Sequence, residues 1–203
     1  MESFIYINQK SLCDDLCDEI INKFENEQGK YDGCTIGGIQ KDIKNTTDFI
    51  IPINCEKWYK IQKCLTKELT KNIEQYIDSL CHDEYKMSAQ KSNSDFTPIH
   101  KKNIIFYNFM VQRYIKNEGR YIYHDDSNIN FDKKEYRVIT YLWYLNTVEE
   151  GGETCFWKDY KIKPEKGKLI LFPASWTFPH CGKMPISSNK YIITGWLYYK
   201  DKL

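Results

Sequence analysis

The first eighty residues carry two stretches in which apolar side chains recur three and four positions apart. The first stretch opens with Ser11 and Asp14 in a capping-box pattern, and its apolar spacing predicts a helix over residues 11–26. The same period returns over residues 55–80 and predicts a second helix. The opposite side of that helix is rich in lysine and predicts a solvated face, with the docking of an acidic partner as the alternative. These lysines are Lys57, Lys60, Lys63, Lys67 and Lys71.

From residue 103 the helical period gives way to short β-branched and aromatic runs, separated by Gly, Asp, Asn and Pro. This pattern is typical of strands in a mostly antiparallel sheet. The polar segments 28–49 and 83–98 lack a period and predict loop or irregular strand. The chain therefore predicts an α+β fold in one domain spanning residues 1–203. The predicted strand runs are "NIIFYNFMVQRYI", "YRVITYLWYLN", "TCFW", "KLILFP" and "KYIITGWLYY".

Composition and charge narrow the classes of partner. Lys and Arg total 29 against 28 Asp and Glu, so the net charge of +1 gives no drive toward nucleic acid or an anionic membrane. The sequence has no run of about 18 apolar residues, and its start lacks the features of a signal peptide. The eight cysteines are scattered and predict reduced thiols. We expect a soluble, cytoplasmic protein with no obligatory nucleic-acid or membrane partner.

Candidate metal chemistry centres on the stretch "YIYHDDSN", where His124 and Asp126 form an H-x-D pattern. The pattern alone is weak, but His180 follows a predicted strand of the same β-domain. Two imidazoles and one carboxylate on a β-scaffold suit a facial triad for non-haem Fe(II), and zinc would fit the same ligand types. Asp125 competes with Asp126, but side chains alternate along an extended strand, which puts residues 124 and 126 on one face.

A rival triad would begin with His82 and Glu84 in "CHDEY". Those residues lie at the predicted end of the second helix, with no strand to hold them. We therefore predict that His82 and His100 are surface or packing residues.

Three stretches in the last half of the chain resemble one enzyme family. "QRYIKNEGRYIYHDD", "RVITYLWYLNTVEEGGETCF" and "PHCGKMPISSNKYIITGW" resemble, in that order, the Fe(II)/2-oxoglutarate-dependent dioxygenases of the prolyl 4-hydroxylase type. The resemblance implies a double-stranded β-helix (jelly roll) over residues 103–199, flanked by two N-terminal helices, with residues 1–100 supplying support and lids through 28–49 and 83–100. Carried over, the metal ligands fall on His124, Asp126 and His180, the lysine that holds 2-oxoglutarate on Lys190, and further residues of its pocket on Tyr114, Thr154 and Trp196.

The chemistry of the co-substrate agrees with the role of Lys190. 2-Oxoglutarate is a dianion, and its far carboxylate, once buried, needs a cation and hydrogen bonds. The family resemblance implies hydroxylation of an unactivated C–H bond, with Fe(II), 2-oxoglutarate and O2 as cofactors, ascorbate as a further reductant, and succinate and CO2 as products.

The substrate stays open at this point. The resemblance favours a proline-containing protein or peptide, with another peptidyl side chain or a free amino acid as alternatives. A nucleic-acid demethylase of the same superfamily would use arginine for the co-substrate and a basic groove, but the chain has three arginines, Arg113, Arg120 and Arg137. A non-catalytic binding module would be expected to lack a metal ligand or the lysine, and all four are present. The many Lys, Asn and Ile residues indicate an AT-rich genome such as that of a virus or phage.

Overall fold

The structure, a computed structural model, describes residues 2–80 and 103–200. The described residues form two α-helices, two short 3-10 turns at Glu2–Phe4 and Glu56–Trp58, and fourteen strands. In chain order the helices and strands are β1 (Tyr6–Asn8), α1 (Asp14–Glu25), β2 (Tyr31–Asp32), β3 (Lys44–Asn45), β4 (Thr47–Ile50), α2 (Tyr59–Leu80), β5 (Ile104–Ile105), β6 (Met110–Tyr114), β7 (Arg120–His124), β8 (Ile129–Asn130), β9 (Glu135–Tyr144), β10 (Thr154–Phe156), β11 (Tyr160–Ile162), β12 (Leu169–Pro173), β13 (His180–Gly182) and β14 (Lys190–Lys200).

The strands form two antiparallel sheets. The major sheet has nine strands, in the order β1-β12-β9-β14-β6-β4-β2, with β5 paired to β14 and β8 paired to β9. The minor sheet has five strands, in the order β11-β10-β13-β7-β3. The predicted α+β character and antiparallel pairing are thus confirmed at the level of a mostly β fold with few helices.

The helices pack on one face of the major sheet and the minor sheet lies across the other face. Strand β9 shows the arrangement, because Tyr141 and Trp143 belong to the core beneath the helices, while Leu142 and Tyr144 belong to the core between the sheets. A strand buried on both faces reads as a continuous apolar run, which explains the sequence "VITYLWYL".

The predicted start of the first helix is wrong in detail. Helix α1 begins at Asp14, its N-cap is Cys13, and no side chain caps it. The hydroxyl of Ser11 is instead buried, where it accepts hydrogen bonds from Trp143 Nε1 at 3.0 Å and Asn72 Nδ2 at 3.2 Å. The buried indole N–H of Trp143 needs an acceptor, and Ser11 supplies that acceptor in place of capping the helix.

The second helix also begins later than predicted, at Tyr59, after the 3-10 turn that contains Trp58. One face of α2 is buried against the sheet through Ile61, Leu65, Leu69 and Tyr76, as its period predicts. Neither helix in the described residues is long and apolar enough to cross a membrane.

The segment 28–49, predicted as loop or irregular strand, contributes three short strands to the two sheets. Strand β4 pairs with β6 of the major sheet, and β3 pairs with β7 of the minor sheet. The chain therefore passes from one sheet to the other between Asn45 and Thr47. The predicted loop 83–98 and lid 83–100 lie outside the described residues.

Candidate metal centre and co-substrate cavity

The structure brings His124, Asp126 and His180 together. His124 and His180 face each other as direct partners across β7 and β13, and Asp126 follows two residues after the end of β7. One ligand atom from each of the three side chains lies within 4.8 Å of the others. His124 Nε2 is 3.9 Å from Asp126 Oδ1, and His180 Nε2 is 3.6 Å from Asp126 Oδ2. The Nε2 atoms of the two histidines and the carboxylate of Asp126 therefore lie close to a common centre.

Each imidazole is oriented by a backbone carbonyl. Nδ1 of His124 lies 2.7 Å from the carbonyl oxygen of Ile122, and Nδ1 of His180 lies 3.0 Å from that of Phe178. In the tautomer that donates these bonds, the lone pair of each Nε2 is free for a metal. Burial and the neighbouring His180 lower the pKa of His124 to about 4, so its ring is neutral at neutral pH.

Asp126 and Asp125 have opposite environments. Asp126 is buried, and its Oδ2 accepts a hydrogen bond of 2.7 Å from the hydroxyl of Thr140. Burial alone would raise its pKa, but the two histidines and Thr140 together hold that pKa below its usual value. Asp125 is exposed and accepts hydrogen bonds from the amide and hydroxyl of Ser127. Strand β7 ends at His124, yet Asp126 is still on the same side as the histidine, as alternation predicts.

The triad lines a cavity of about 610 Å³ between the two sheets, and Lys190 lines the same cavity. Lys190 is 1% exposed, and its ammonium donates a hydrogen bond of 2.9 Å to the carbonyl of Gly152. It forms no ion pair with any carboxylate in residues 2–80 and 103–200. Burial lowers its pKa to about 7. A buried cation without a carboxylate is costly, and an anionic ligand would offset that cost.

The turn "GGET" places the carbonyl that Lys190 contacts. Gly151 and Gly152 have φ angles of +73° and +75°, a left-handed backbone that other residues rarely adopt. Two consecutive glycines therefore suit this turn, and the turn leads directly into β10 and Thr154.

Tyr114 and Thr154 also line the cavity. The ammonium of Lys190 lies 3.9 Å from the centre of the Tyr114 ring, which is the distance of a cation–π contact. Burial raises the pKa of Tyr114 well above its usual value, so its hydroxyl keeps its proton. The hydroxyl of Thr154 accepts a 2.6 Å hydrogen bond from Tyr144, a residue that the sequence analysis did not single out.

Trp196 lies at the metal end of the cavity together with Arg137. Its indole N–H is buried and makes no hydrogen bond by the usual geometric limits. It nevertheless contributes to lowering the pKa of Asp126. The guanidinium carbon of Arg137 lies 3.6 Å from the centre of the Trp196 ring, and Nη1 donates to the carbonyl of Asp126 at 3.4 Å. The sequence analysis counted Arg137 only as one of three arginines.

The sequence also singled out three further residues and a lid segment. His82, Glu84 and His100 lie outside the described residues. Within segment 28–49, a predicted lid, the cavity is lined by Cys34 to Gly37 and by Ile43 and Lys44.

The residues present fit both a divalent metal and 2-oxoglutarate. The ligand atoms of the three side chains lie within 4.8 Å of one another, and the three residues line the cavity. Three protein ligands would leave an octahedral metal further positions for other ligands. The unpaired Lys190 lies in the same cavity, where it can neutralise a carboxylate. His124, Asp126 and His180 would hold the metal, and Lys190 would hold the far end of the co-substrate.

Comparison with known proteins agrees with this chemistry. Residues 109–198 match the family model of the 2OG-Fe(II) oxygenase superfamily. The chain is also similar to Probable prolyl 4-hydroxylase 7 of Arabidopsis thaliana, with 30% identity over 105 residues. That match covers 39% of this chain and 33% of the plant protein, so the chain spans about a third of the length of this relative.

Three solved structures resemble nearly the whole chain. A viral collagen prolyl hydroxylase from Paramecium Bursaria Chlorella virus-1, solved with 2OG, has a TM-score of 0.65 and 23% identity, over 97% of this chain and 96% of its own. A Trichoplax adhaerens prolyl hydroxylase in complex with a hypoxia inducible factor peptide fragment has a TM-score of 0.66 and 21% identity, over 98% of this chain and 84% of its own. A Pseudomonas putida prolyl-4-hydroxylase has a TM-score of 0.65 and 15% identity, over 98% of this chain and 93% of its own. Residues 109–198 are thus similar to the 2OG-Fe(II) oxygenase superfamily, and nearly the whole chain shares its fold with solved prolyl hydroxylases.

Proposed function

We propose that this protein is a 2-oxoglutarate- and Fe(II)-dependent dioxygenase that hydroxylates an unactivated C–H bond in a peptide, with proline as the favoured residue. The observation that carries the proposal is the presence, in one cavity, of a His-Asp-His cluster and a buried lysine without a carboxylate partner among the described residues. The first feature suits Fe(II) and the second suits a dicarboxylate.

The fold we propose is a double-stranded β-helix over residues 103–199, within a single domain of residues 1–203. The two antiparallel sheets that enclose the cavity support it, as does the likeness to prolyl hydroxylase structures. Residues 1–100 would supply the supporting helices, and segment 28–49 supplies part of the cavity wall.

We assign the metal to Nε2 of His124, Nε2 of His180 and one carboxylate oxygen of Asp126. Fe(II) held by these residues, together with 2-oxoglutarate, would supply the oxidant from O2, with one oxygen atom leaving in succinate as CO2 is released. The protein holds the imidazole of His124 neutral and keeps the pKa of Asp126 below its usual value, so that its carboxylate is available to a cation. The same set would accept zinc, and only the redox metal supports turnover.

The co-substrate would lie between Lys190 and the metal. The ammonium of Lys190 would pair with its far carboxylate, and the hydroxyls of Tyr114 and Thr154, which line the same cavity, would add hydrogen bonds. Trp196 would wall the metal end and offers its unpaired indole N–H there. Lys190, Tyr114 and Thr154 are buried, and burial strengthens each of these interactions.

A peptide substrate is supported by the relatives and by the mouth of the cavity. The relatives are named as prolyl hydroxylases, and the Trichoplax enzyme was solved with a peptide fragment. Ile36, Ile122 and Tyr123 line the cavity and are largely exposed, so they offer apolar surface next to the metal site. Exposed apolar side chains beside a site are typical of a surface that binds a partner.

The test is a substrate screen that measures succinate formation and product mass. Proline-rich peptides are expected to stimulate succinate formation above the background without substrate and to gain the mass of one oxygen atom on proline. Free amino acids and oligonucleotides complete the panel. Selective stimulation by oligonucleotides would favour a nucleic-acid demethylase instead, and binding of Fe(II) and 2-oxoglutarate without turnover of any substrate would favour a binding module.

A further inference from the structure

A buried polar cluster joins the two sheets beside the co-substrate cavity. Its N-terminal members lie outside the residues that match the family model. The cluster consists of Lys44, Thr46, Asp48 and Gln112, which we call the Asp48 cluster. All four side chains are buried, and Asp48 is 1% exposed. Residues 44–48 precede the matched region, which begins at residue 109.

Asp48 is the centre of this cluster and accepts three hydrogen bonds. Lys44 Nζ donates to Oδ2 at 2.6 Å, Thr46 Oγ1 donates to Oδ1 at 2.7 Å, and Gln112 Nε2 donates to Oδ2 at 3.2 Å. The carboxylate is therefore fully engaged. A buried ion pair of this kind is often replaceable by apolar side chains of similar volume without loss of stability, so its presence does not by itself explain the fold.

The position of the cluster in the fold links it to the cavity. Lys44 pairs with Tyr121 in the minor sheet and Asp48 pairs with Gln112 in the major sheet, so the ion pair spans the point where the chain crosses between the sheets. Lys44 and Gln112 both line the cavity that contains the metal ligands.

Gln112 connects Asp48 to the co-substrate end of the cavity. Because its amide nitrogen donates to Asp48, its amide oxygen faces the other way, and it accepts a 3.4 Å hydrogen bond from the hydroxyl of Tyr114. The ring of Tyr114 in turn lies against the ammonium of Lys190. Without the charged acceptor of Asp48, the side-chain amide of Gln112 is free to flip. Its NH2 group would then face the hydroxyl of Tyr114 in place of its oxygen.

We infer that Asp48 is a positioning residue for 2-oxoglutarate: through Gln112 it orients the hydroxyl of Tyr114 toward the cavity beside Lys190. The inference rests on the proposed function, since it concerns the same co-substrate. At 3.4 Å the bond from Tyr114 is long, so a carboxylate can displace it at small cost. The cluster thus holds the tyrosine in place before the co-substrate binds.

The experiment compares 2-oxoglutarate binding to Mn(II)-loaded protein in three variants by calorimetry. The double variant Lys44→Met/Asp48→Asn removes both charges together, so it leaves no buried charge unpaired. We expect its unfolding temperature and its Mn(II) affinity to stay close to wild type, because the metal ligands are untouched. Its affinity for 2-oxoglutarate should fall about tenfold, the lower end of the effect of removing a group that orients a ligand-binding residue.

The single variant Gln112→Leu leaves the ion pair intact and should show the same loss. Combining it with the double variant should add little further loss, because all three residues act through Tyr114. In turnover assays the KM for 2-oxoglutarate should rise while kcat at saturating co-substrate stays near wild type. If the double variant fails to fold, Gln112→Leu carries the test alone.

The control is Asp18→Asn, which removes a surface ion pair with Lys166 whose atoms lie 2.7 Å apart. This variant should leave the affinities for Mn(II) and for 2-oxoglutarate unchanged. Wild-type affinity for 2-oxoglutarate in both the double variant and Gln112→Leu would overturn the inference and leave the cluster a mere connection between sheets. Failure of the wild-type protein itself to bind 2-oxoglutarate would instead count against the proposed function.

Discussion

At the scale of single residues, the site depends on two histidines, one carboxylate and one buried lysine. Each imidazole has its orientation fixed by a carbonyl and each is buried or nearly so, while the carboxylate of Asp126 is held by Thr140. Lys190 lies in the same cavity with only a carbonyl and an aromatic ring as partners.

Metal binding should distinguish the two neighbouring aspartates. Asp126→Asn should lower the affinity for Fe(II) or Mn(II) by more than about a hundredfold, since even outer residues of metal sites contribute 10- to 100-fold. Asp125→Asn should bind like wild type, because Asp125 is exposed and bonded to Ser127. Titration of the two purified variants with metal measures both affinities. An equal loss of metal affinity in both variants would be inconsistent with our assignment of Asp126 as the ligand.

Lys190→Ala should weaken 2-oxoglutarate binding while leaving metal binding intact. The variant would leave the far carboxylate buried without a cation, which costs about 3–5 kcal/mol. That cost corresponds to roughly two to four powers of ten in affinity. Lys190→Arg should restore part of the loss, because guanidinium is larger and approaches a carboxylate differently. An unchanged KM for 2-oxoglutarate in Lys190→Ala would remove the lysine from the co-substrate site.

The affinity for 2-oxoglutarate should fall as the pH rises above about 7. Burial lowers the pKa of Lys190 to about 7 in the empty cavity, so above that pH the lysine must take up a proton to pair with the carboxylate. Below that pH it is already charged and the effect disappears. The loss approaches tenfold per pH unit at most, since one pKa unit is about 1.4 kcal/mol. Calorimetry between pH 7 and pH 9 measures it, and Lys190→Arg, which stays charged, should show a flatter profile.

The residues of the site differ in how far the sequence could predict them. The H-x-D pattern alone is weak, and the two histidines, Asp126 and Lys190 could be predicted because three stretches resemble one enzyme family in the right order. Arg137 was not recognisable, because its role depends on stacking with Trp196, a partner 59 positions later that the sheet register brings beside it. The partners of Tyr144 and Gln112 likewise depend on long-range packing.

At the scale of elements, the long strands and helices follow their apolar pattern and the short ones do not. Strands β9 and β14 run over 10 and 11 residues, and both were predicted as strands. Strands β1, β2 and β3 have two or three residues each, too few to show a period of two. Their pairing is fixed by neighbours distant in sequence, and for this reason the strand pairing of segment 28–49 could not be predicted.

Helix α2 should support the major sheet without contributing to the site. Leu65 is fully buried on its inner face, so Leu65→Ala should lower the free energy of unfolding by about 2–5 kcal/mol. The matched variant Lys63→Ala, on the exposed lysine face, should change it by less than about 0.5 kcal/mol. Denaturant unfolding gives both values. A large effect of Lys63→Ala would contradict the prediction that this face is only solvated.

At the scale of the whole molecule, two sheets enclose the metal cluster and the lysine in one cavity, and the helices stabilise the outer face of the larger sheet. The fold resembles prolyl hydroxylases over nearly the entire chain, although the family match is confined to residues 109–198. The first half of the chain thus adds to the cavity residues that the family pattern does not specify, among them Lys44 and the segment from Cys34 to Gly37. Substrate preference should follow from this half, because variable connecting segments beside a rigid site usually determine specificity.

The central claim is that one cavity holds both a divalent metal and 2-oxoglutarate, and a crystal structure with Mn(II) and 2-oxoglutarate, grown without oxygen, tests it most directly. The account predicts Mn(II) bound to Nε2 of His124, Nε2 of His180 and an oxygen of Asp126, with the far carboxylate of 2-oxoglutarate on the ammonium of Lys190. A metal bound elsewhere, or a co-substrate that makes no contact with Lys190, would contradict the account.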